Sequence, residues 1–455
     1  MNDGYQREGS VMSIRVPAAV LLAAAVLAGC ASTGGDRPEA PPPLSGEEVR
    51  LNVESFEYAW GRIDETLWEE VKDTVSWDSV RTALLPRVEE ARTMREARAV
   101  MEEMVGSVGL SHYQIIPAYA YEDYGAGDGG GSGGETGLTV RLIGGRPLVL
   151  SVREGSPADS AGISPGWEVV SIGGERTAER LARLQDYFAG HLLRDVIIGG
   201  AVQGRLTGAP GDTLPLTFET GSGEAVERPV VLERPRGNAY TLGFLPEVHV
   251  WIDTMTVAGD IGYVAWNMFM DIANVMPLYN SAIASFMDRR GIILDLRGNL
   301  GGIAAMASGM AGWFVREKGV FFGTFIMKGV RLKLVVNPRP GGFEGPVAVL
   351  VDGQSMSSAE FFAGGLQANG RARVFGVRTP GVALPSVIEK LPNGDALQYV
   401  HADYINADGE RLEGKGVIPD HRVEPTREEL LAGRDPVLEA AIEWIEREKG
   451  TGRQE

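Results

Sequence analysis

The sequence has 455 residues, of which 44% are hydrophobic and 23% charged, as in globular proteins long enough for two or three domains. Its formal net charge of −18 argues against nucleic acid binding, because little would neutralise the phosphates. The single cysteine, Cys30, excludes an intrachain disulfide and cysteine-rich metal sites, and the five histidines lack metal-binding spacing. We therefore expect neither a metal nor a cofactor.

The N-terminus has the pattern of an export signal. The apolar run Val16–Leu27 follows Arg15 and is too short for a permanent membrane-spanning helix. It leads into Leu-Ala-Gly-Cys at Cys30, which resembles the bacterial lipoprotein box and implies lipidation of the cysteine thiol. Residues 1–30 are thus predicted to be a signal peptide, and residues 31–46 a flexible tether. No aspartate follows the cysteine, which favours the periplasmic side of the outer membrane over the inner membrane.

Residues 47–124 are predicted to form a helical region. Four apolar residues fall on one helical face, at Phe56, Trp60, Ile63 and Leu67. Asp78 is a candidate cap for a second helix, and Ala97–Val108 predicts a third. The region ends at Ser111-His112, where the pattern becomes extended. A histidine at such a junction is usually a surface or packing residue.

Residues 125–135 form a glycine-rich linker. Beyond it, residues 136–236 alternate short strands and turns, and the segments Gly155–Ile163 and Pro165–Gly174 resemble a PDZ domain. Such domains bind extended C-terminal peptides by strand addition. The loop that would receive the peptide carboxylate contains Gly137, Leu138 and Thr139. This loop lacks the usual Gly-Leu-Gly form, so an orienting spacer without a ligand is the alternative.

Residues 237–455 are predicted to be an α/β core, because strands and helices alternate. The buried strand Gly291–Leu296 is followed by Arg-Gly-Asn-Leu-Gly-Gly and a helix over Ile303–Val315. Such a turn leaves free backbone N–H groups at a helix start, which suits an oxyanion or a phosphate. The phosphate alternative is poor, because the Lys-Ser/Thr of a P-loop is absent.

A second buried strand, Val347–Val351, runs into the small-residue turn Gln354–Ser358 and then a helical pattern. A serine on a tight strand-to-helix turn stands out from the sheet edge beside helical N–H groups, which is how a nucleophile is presented for acyl transfer. The alternative is a capping box, since Ser357 and Glu360 have the spacing Ser-x-x-Glu.

Four segments together resemble the tail-specific, or C-terminal processing, serine peptidases: Gly291–Gly302, the Ser357 turn, Gly370–Gly381 and Leu412–Val423. The resemblance implies an α/β (α+β) multidomain protein. Its parts would be an N-terminal helical bundle, a PDZ-like β-rich domain and a ClpP/crotonase-like α/β catalytic core. The family's Ser-Ala-Ser-Glu motif places the nucleophile on Ser357, with Ser358 as a competitor.

Many members of this family use a lysine base in a Thr-Phe-Gly-Lys segment, but here that lysine has become Val382. The tricorn-type branch instead uses Ser-His at the end of the helical region and a late glutamate. Ser111, His112 and Glu413 match those positions. The resemblance therefore implies that His112 is the base and that Glu413, through Ser111, orients it.

The resemblance also implies an oxyanion hole, formed by the backbone N–H groups of Gly301 or Gly302 and of Ser358. Glu413 as a plain surface carboxylate remains an alternative, and Lys390 and Lys415 are fallback bases.

The sequence thus predicts a lipid-anchored, metal-free serine endopeptidase that cuts peptides or unfolded periplasmic proteins. One alternative is a catalytically silent lipoprotein that binds peptides through the PDZ-like unit. Another is a hydrolase of non-peptide esters or amides.

Overall fold

The computed structural model describes residues 43–72, 75–118, 133–189 and 194–448. The predicted signal peptide, Cys30, most of the tether and most of the glycine-rich linker lie outside the described residues. Within the described ranges, no helix combines the length and apolar character needed to cross a bilayer. In the same ranges, no group of three or more His, Cys, Asp or Glu residues is arranged to hold a metal ion.

Four helices come first: α1 Gly46–Thr66, α2 Glu69–Lys72, α3 Trp77–Glu89 and α4 Met94–Gly106. The predicted apolar face of α1 is largely buried, since Phe56 and Ile63 are fully enclosed while Trp60 is half-buried. The predicted cap of α3 is wrong. Ser76 occupies the N-cap position, and Asp78 lies in the first turn, where its charge still suits the helix N-terminus.

Residues 134–233 are rich in short strands. The helices there are α5 Pro157–Ser160, α6 Thr177–Tyr187 and α7 Arg194–Gly204. The strands are β2 Gly134–Glu135, β3 Leu138–Ile143, β4 Arg146–Val152, β5 Glu168–Ile172, β6 Glu175–Arg176, β7 Thr207–Gly208, β8 Thr213–Leu214, β9 Leu216–Glu219, β10 Ala225–Glu227 and β11 Val230–Val231. The main sheet has the order β10-β9-β5-β4-β3, so β3 is an edge strand, and α7 packs against it.

The remaining residues form the α/β core. Its helices are α8 Ile272–Ser285, α9 Ala304–Ala311, α10 Ser358–Ala368, α11 Arg427–Leu431 and α12 Pro436–Glu448. Its strands are β12 Asn238–Tyr240, β13 Val248–Val250, β14 Ile252–Val257, β15 Ile261–Trp266, β16 Gly291–Asp295, β17 Val320–Met327, β18 Val330–Val336, β19 Val347–Val351, β20 Arg373–Gly376, β21 Ser386–Lys390, β22 Ala396–Val400, β23 Asp403–Asn406 and β24 His421–Arg422. These elements confirm the predicted α/β multidomain class.

The central sheet has the order β14-β15-β16-β19-β20-β24, and every pair from β15 onward is parallel. Alternate side chains of the buried strands pack on opposite faces, against α8, α9 and α10 on one side and α12 on the other. Because β16 and β19 are parallel neighbours, the turns that follow them meet at one sheet edge. These are the Arg297–Gly302 turn and the Ser357 turn.

A separate three-stranded sheet joins the helical region to the core. Strand β1, Gln114–Ile116, pairs antiparallel with β22, and β22 pairs with β21. This pairing places the residues just before β1, including His112, next to the α/β core. Strand β21 begins only at Ser386, because the N–H groups of residues 381–383 bind carboxylates and not a neighbouring strand.

Candidate active site

Ser357 lies between β19 and α10 in a strained backbone conformation. Its φ is 55° and its ψ −118°, a region that non-glycine residues rarely adopt and that costs about 1–3 kcal/mol. Its N–H donates to Glu360 Oε2 at 3.1 Å and to the Val382 carbonyl at 2.8 Å, and these bonds hold the turn. The glutamate half of the predicted capping box is therefore present.

The competing hydroxyl is already engaged. Ser358 is buried, and its Oγ donates to the Gly302 carbonyl at 2.7 Å. Ser357 is half-buried. The geometry therefore favours Ser357 over Ser358 as the candidate nucleophile, because the Ser358 hydroxyl is already bonded within the protein.

The glycine turn after β16 lies directly against Ser357. Gly301 has a φ of +88°, and a Cβ at that position would lie 2.6 Å from Ser357 Cβ. Its N–H already donates to Asn299 Oδ1 at 2.9 Å. Across the described residues, the N–H groups of Gly302 and Ser358 have no such acceptor. Of the predicted oxyanion donors, Gly302 and Ser358 are thus free to bind an anion, whereas Gly301 is occupied.

Ser111 joins His112 to Glu413 across 302 positions of the chain. The Ser111 backbone N–H donates to Glu413 Oε1 at 2.8 Å, and the Ser111 hydroxyl donates to Glu413 Oε2 at 3.0 Å. The same hydroxyl oxygen lies 2.8 Å from His112 Nδ1. Glu413 is partly buried and bonded, so it is not a plain surface carboxylate.

This arrangement selects a tautomer of the imidazole. A hydroxyl has one proton, and the Ser111 proton points to Glu413, so the Ser111 oxygen accepts from His112 Nδ1–H. The unprotonated nitrogen is then Nε2, as a general base requires. Burial lowers the pKa of His112 to about 4, which keeps the resting imidazole neutral. Burial raises the pKa of Glu413, and N–H donors from Ser111 and Ala383 oppose that rise.

Ser357 and His112 both lie in the described part of the chain, and no hydrogen bond joins them. They are connected through residues 379–383 instead. The N–H groups of Gly381 and Val382 donate to Glu360, and that of Ala383 donates to Glu413. Catalytic hydrogen bonds are often long without substrate and tighten when it binds.

The candidate lysines are poorly placed as bases. Lys390 and Lys415 are both exposed, so nothing desolvates either ammonium group. Val382, at the position of the family's lysine, is 1% exposed and packs with Met356 against Val196 and Ile197 of α7.

The sequence interpretation missed one ion pair that supports both turns. Arg141 Nε, from β3, donates to Asp352 Oδ2 at 2.9 Å. Asp352 Oδ1 accepts from the N–H groups of Gly298 and Gln354, each at 2.9 Å. The Asp-Gly pair after strand β19 could have indicated the role of Asp352 in this turn, whereas no sequence pattern indicated Arg141. Arg297 pairs with Asp295 and Asp435, which links the end of β16 to the residue before α12.

The predicted peptide-binding loop bonds to its own chain. The Leu138 N–H donates to Thr136 Oγ1 at 3.2 Å. At the free edge of β3, Gln203 Nε2 donates to the Leu138 carbonyl and Gln203 Oε1 accepts from the Val140 N–H. Thr139 lies on the opposite side of the strand, in register with Ser151 of β4. A strand added at this edge would therefore have to displace Gln203.

Comparison with known proteins assigns the core. Residues 260–423 match peptidase family S41, and residues 53–106 match the tricorn protease C1 domain. The chain is a serine-type peptidase, and its residues 260–423 are similar to family S41. The S41 match contains Ser357 and Glu413, and the C1 match covers most of helices α1 to α4.

Two relatives of this peptidase are named as a carboxyl-terminal-processing peptidase and a probable CtpA-like serine protease. It is 27% identical over 391 residues to the chloroplastic carboxyl-terminal-processing peptidase 3 of Arabidopsis thaliana, covering 83% of this chain and 70% of the relative. It is 26% identical over 280 residues to a probable CtpA-like serine protease of Staphylococcus haemolyticus, covering 61% of this chain and 50% of that one. The peptidase therefore spans about half the length of the bacterial relative.

Solved structures of low identity share the fold. A photosystem II D1 C-terminal processing protease superposes with a TM-score of 0.55 at 18% identity, covering 87% of this chain and 99% of that one. Mature CPAF superposes with a TM-score of 0.58 at 12% identity, covering 88% and 97%. These likenesses concern the fold alone.

Proposed function

We propose that this peptidase is a metal-free endopeptidase of the tail-specific type, in which Ser357 is the nucleophile, His112 the base and Glu413 the orienting acid. The observation that carries the proposal is the hydrogen-bonded series Glu413–Ser111–His112. It assembles an oriented imidazole from segments 302 positions apart. Such an imidazole takes the place of the lysine missing at Val382.

The reaction is acyl transfer. His112 Nε2 accepts the proton of Ser357 Oγ as the oxygen attacks the scissile carbonyl. The N–H groups of Gly302 and Ser358 bind the oxyanion, and losing one such donor typically lowers kcat by about 10²–10³-fold. His112 then protonates the leaving amine, and a water activated by the same imidazole releases the acyl group. Glu413, through Ser111, stabilises the imidazolium formed between these steps.

The location and organisation of the enzyme are part of the same proposal. Leu-Ala-Gly-Cys at Cys30 supports lipid anchoring on the periplasmic side of the outer membrane. Peptides or unfolded periplasmic proteins are then the substrates. Residues 136–236 are proposed as a PDZ-like unit between the helical region at 47–124 and the catalytic core at 237–455.

Covalent labelling tests the proposal. A biotinylated alkyl fluorophosphonate should phosphonylate the wild-type protein, with loss of fluoride, on a peptide containing Ser357, as located by mass spectrometry. Ser357→Ala should prevent labelling and cleavage of unfolded, fluorescein-labelled casein. Ser358→Ala should still be labelled, because its hydroxyl bonds to Gly302.

A second pair of variants tests the base. His112→Ala should lose cleavage, whereas His421→Ala, which changes an exposed histidine on strand β24, should keep it. An unlabelled, inactive wild-type protein that still binds peptide would overturn the proposal in favour of a silent binding lipoprotein.

A further inference from the structure

Glu360 is bonded unlike the glutamates of the two other capping boxes that the described residues contain. Glu48 at α1 and Glu429 at α11 each accept from the backbone and the side chain of their own N-cap residue, Ser45 and Thr426 respectively. Both belong to ordinary capping boxes. Glu360 is completely buried, and most of its donors come from another segment of the chain.

Four donors surround the Glu360 carboxylate. Oε1 accepts from Thr379 Oγ1 at 2.6 Å and from the Gly381 N–H at 2.8 Å. Oε2 accepts from the Val382 N–H at 2.9 Å and from the Ser357 N–H at 3.1 Å. A helix cap needs only the last of these bonds. The other three attach residues 379–382 to the nucleophile turn.

The same segment continues to the histidine side of the site. The Ala383 N–H, next along the chain, donates to Glu413 Oε2 at 3.0 Å, and Glu413 binds Ser111. The N–H groups of residues 381 and 382 therefore bind Glu360, and the next one, that of residue 383, binds Glu413. The result is one continuous hydrogen-bonded path from the Ser357 N–H to the His112 ring.

We propose that Glu360 is a positioning residue that, through residues 379–383, sets the separation of Ser357 from His112. The inference rests on the proposed function, since it concerns the proton that these two residues exchange. Its physical basis is the sensitivity of such transfers to geometry, because a misplacement of about 1 Å lowers the rate by about 10²-fold. In this chain, the segment that lost the family's lysine thus has a scaffolding role.

Glu360→Gln tests the idea with little change in shape. The amide oxygen can still accept from two donors, but the amide NH₂ must face two other donors, so two of the four bonds are lost. We expect kcat for casein-derived peptide cleavage to fall by about 10²-fold, with KM within about threefold of wild type. The rate of phosphonylation should fall in parallel, because Ser357 activation is impaired.

Glu429→Gln is the matched control, since it removes a capping glutamate that lies outside the site. It should keep wild-type kcat. A folded Glu360→Gln protein whose kcat stays within about threefold of wild type would overturn the inference. Failure of the wild-type protein to be labelled would instead refute the proposed function, so the two failures are distinguishable.

A second pair of variants covers the case in which Glu360→Gln does not fold. Thr379→Val removes the hydroxyl donated to Oε1, whereas Thr379→Ser keeps it. We expect Thr379→Val to lower kcat by about tenfold without a matching rise in KM, and Thr379→Ser to restore the rate. Equal kcat values for the two variants would contradict the positioning role.

Discussion

Replacing Ser111 with alanine removes only the hydroxyl group that lies between Glu413 and His112. The hydroxyl donates to the Glu413 carboxylate at 3.0 Å and lies 2.8 Å from His112 Nδ1. Glu413 itself should stay in place, because it also accepts N–H bonds from residue 111 and from Ala383. The change therefore uncouples the imidazole from its orienting acid without removing that acid.

The expected loss follows from the bonds removed. A hydrogen bond to a charged group contributes about 1.5–3 kcal/mol. If the bond reaches this strength only when the imidazolium forms in the transition state, its loss lowers the rate by about 10–150-fold. We therefore expect Ser111→Ala to lower kcat by about 10–150-fold, with KM little changed. This is less than the roughly 10⁴-fold loss seen when the carboxylate function of a Ser-His-Asp triad is removed, because Glu413 remains in place.

The assay is steady-state cleavage of a fluorogenic peptide at neutral pH. Ser111→Thr keeps a hydroxyl and should retain most of the activity. Ser107→Ala is the control, since within the described part of the chain Ser107 Oγ bonds only to the Met104 carbonyl at the end of α4. If Ser111→Ala kept at least half of wild-type kcat, the orienting role of Ser111 would be refuted.

Three further predictions concern packing and protonation. Gly301→Ala should lower kcat by at least about 10²-fold and stability by about 1–3 kcal/mol in urea unfolding, because its Cβ would lie 2.6 Å from Ser357 Cβ at a positive φ; wild-type activity would contradict this. Val382→Lys should lower the melting temperature without raising kcat, since position 382 is buried, and a gain in activity would contradict it. Burial lowers the pKa of His112 to about 4, so stability should fall by up to about 3 kcal/mol as pH drops from about 6.5 through 4, because the unfolded state binds the extra proton first. Denaturant unfolding against pH should show a flatter dependence in His112→Gln, and an unchanged dependence would contradict the assignment.

The sequence predicted best those elements that depend on local pattern. The buried runs at Gly291–Asp295 and Val347–Val351 appear as strands, and the turns after them lie at one sheet edge. Neighbouring parallel strands place their carboxyl ends at the same sheet edge, so the closeness of these two turns followed from the strand order alone. Capping of α12 is equally local, since Asp435 accepts from the Leu438 N–H.

Contacts between segments far apart in the chain could not be predicted from local sequence pattern. Strand β1 has only three residues, and its pairing with β22 gave no periodic signal, so only the family resemblance linked Ser111-His112 to Glu413. Glu360 has the same Ser/Thr-x-x-Glu spacing as Glu48 and Glu429, and spacing does not show which of the three is buried. The Arg141–Asp352 pair likewise depends on tertiary packing.

The most direct test of the account is a crystal structure of the protein phosphonylated at Ser357. The phosphonyl group stands in for the tetrahedral intermediate. We predict that His112 Nε2 lies within about 3.2 Å of an oxygen of the adduct, and that the Gly302 and Ser358 N–H groups lie at about 2.7–3.1 Å from the oxygen that mimics the oxyanion. An imidazole that stays beyond hydrogen-bonding distance of the adduct, with Ser111 still bound to Glu413, would contradict the assignment of His112 as the base.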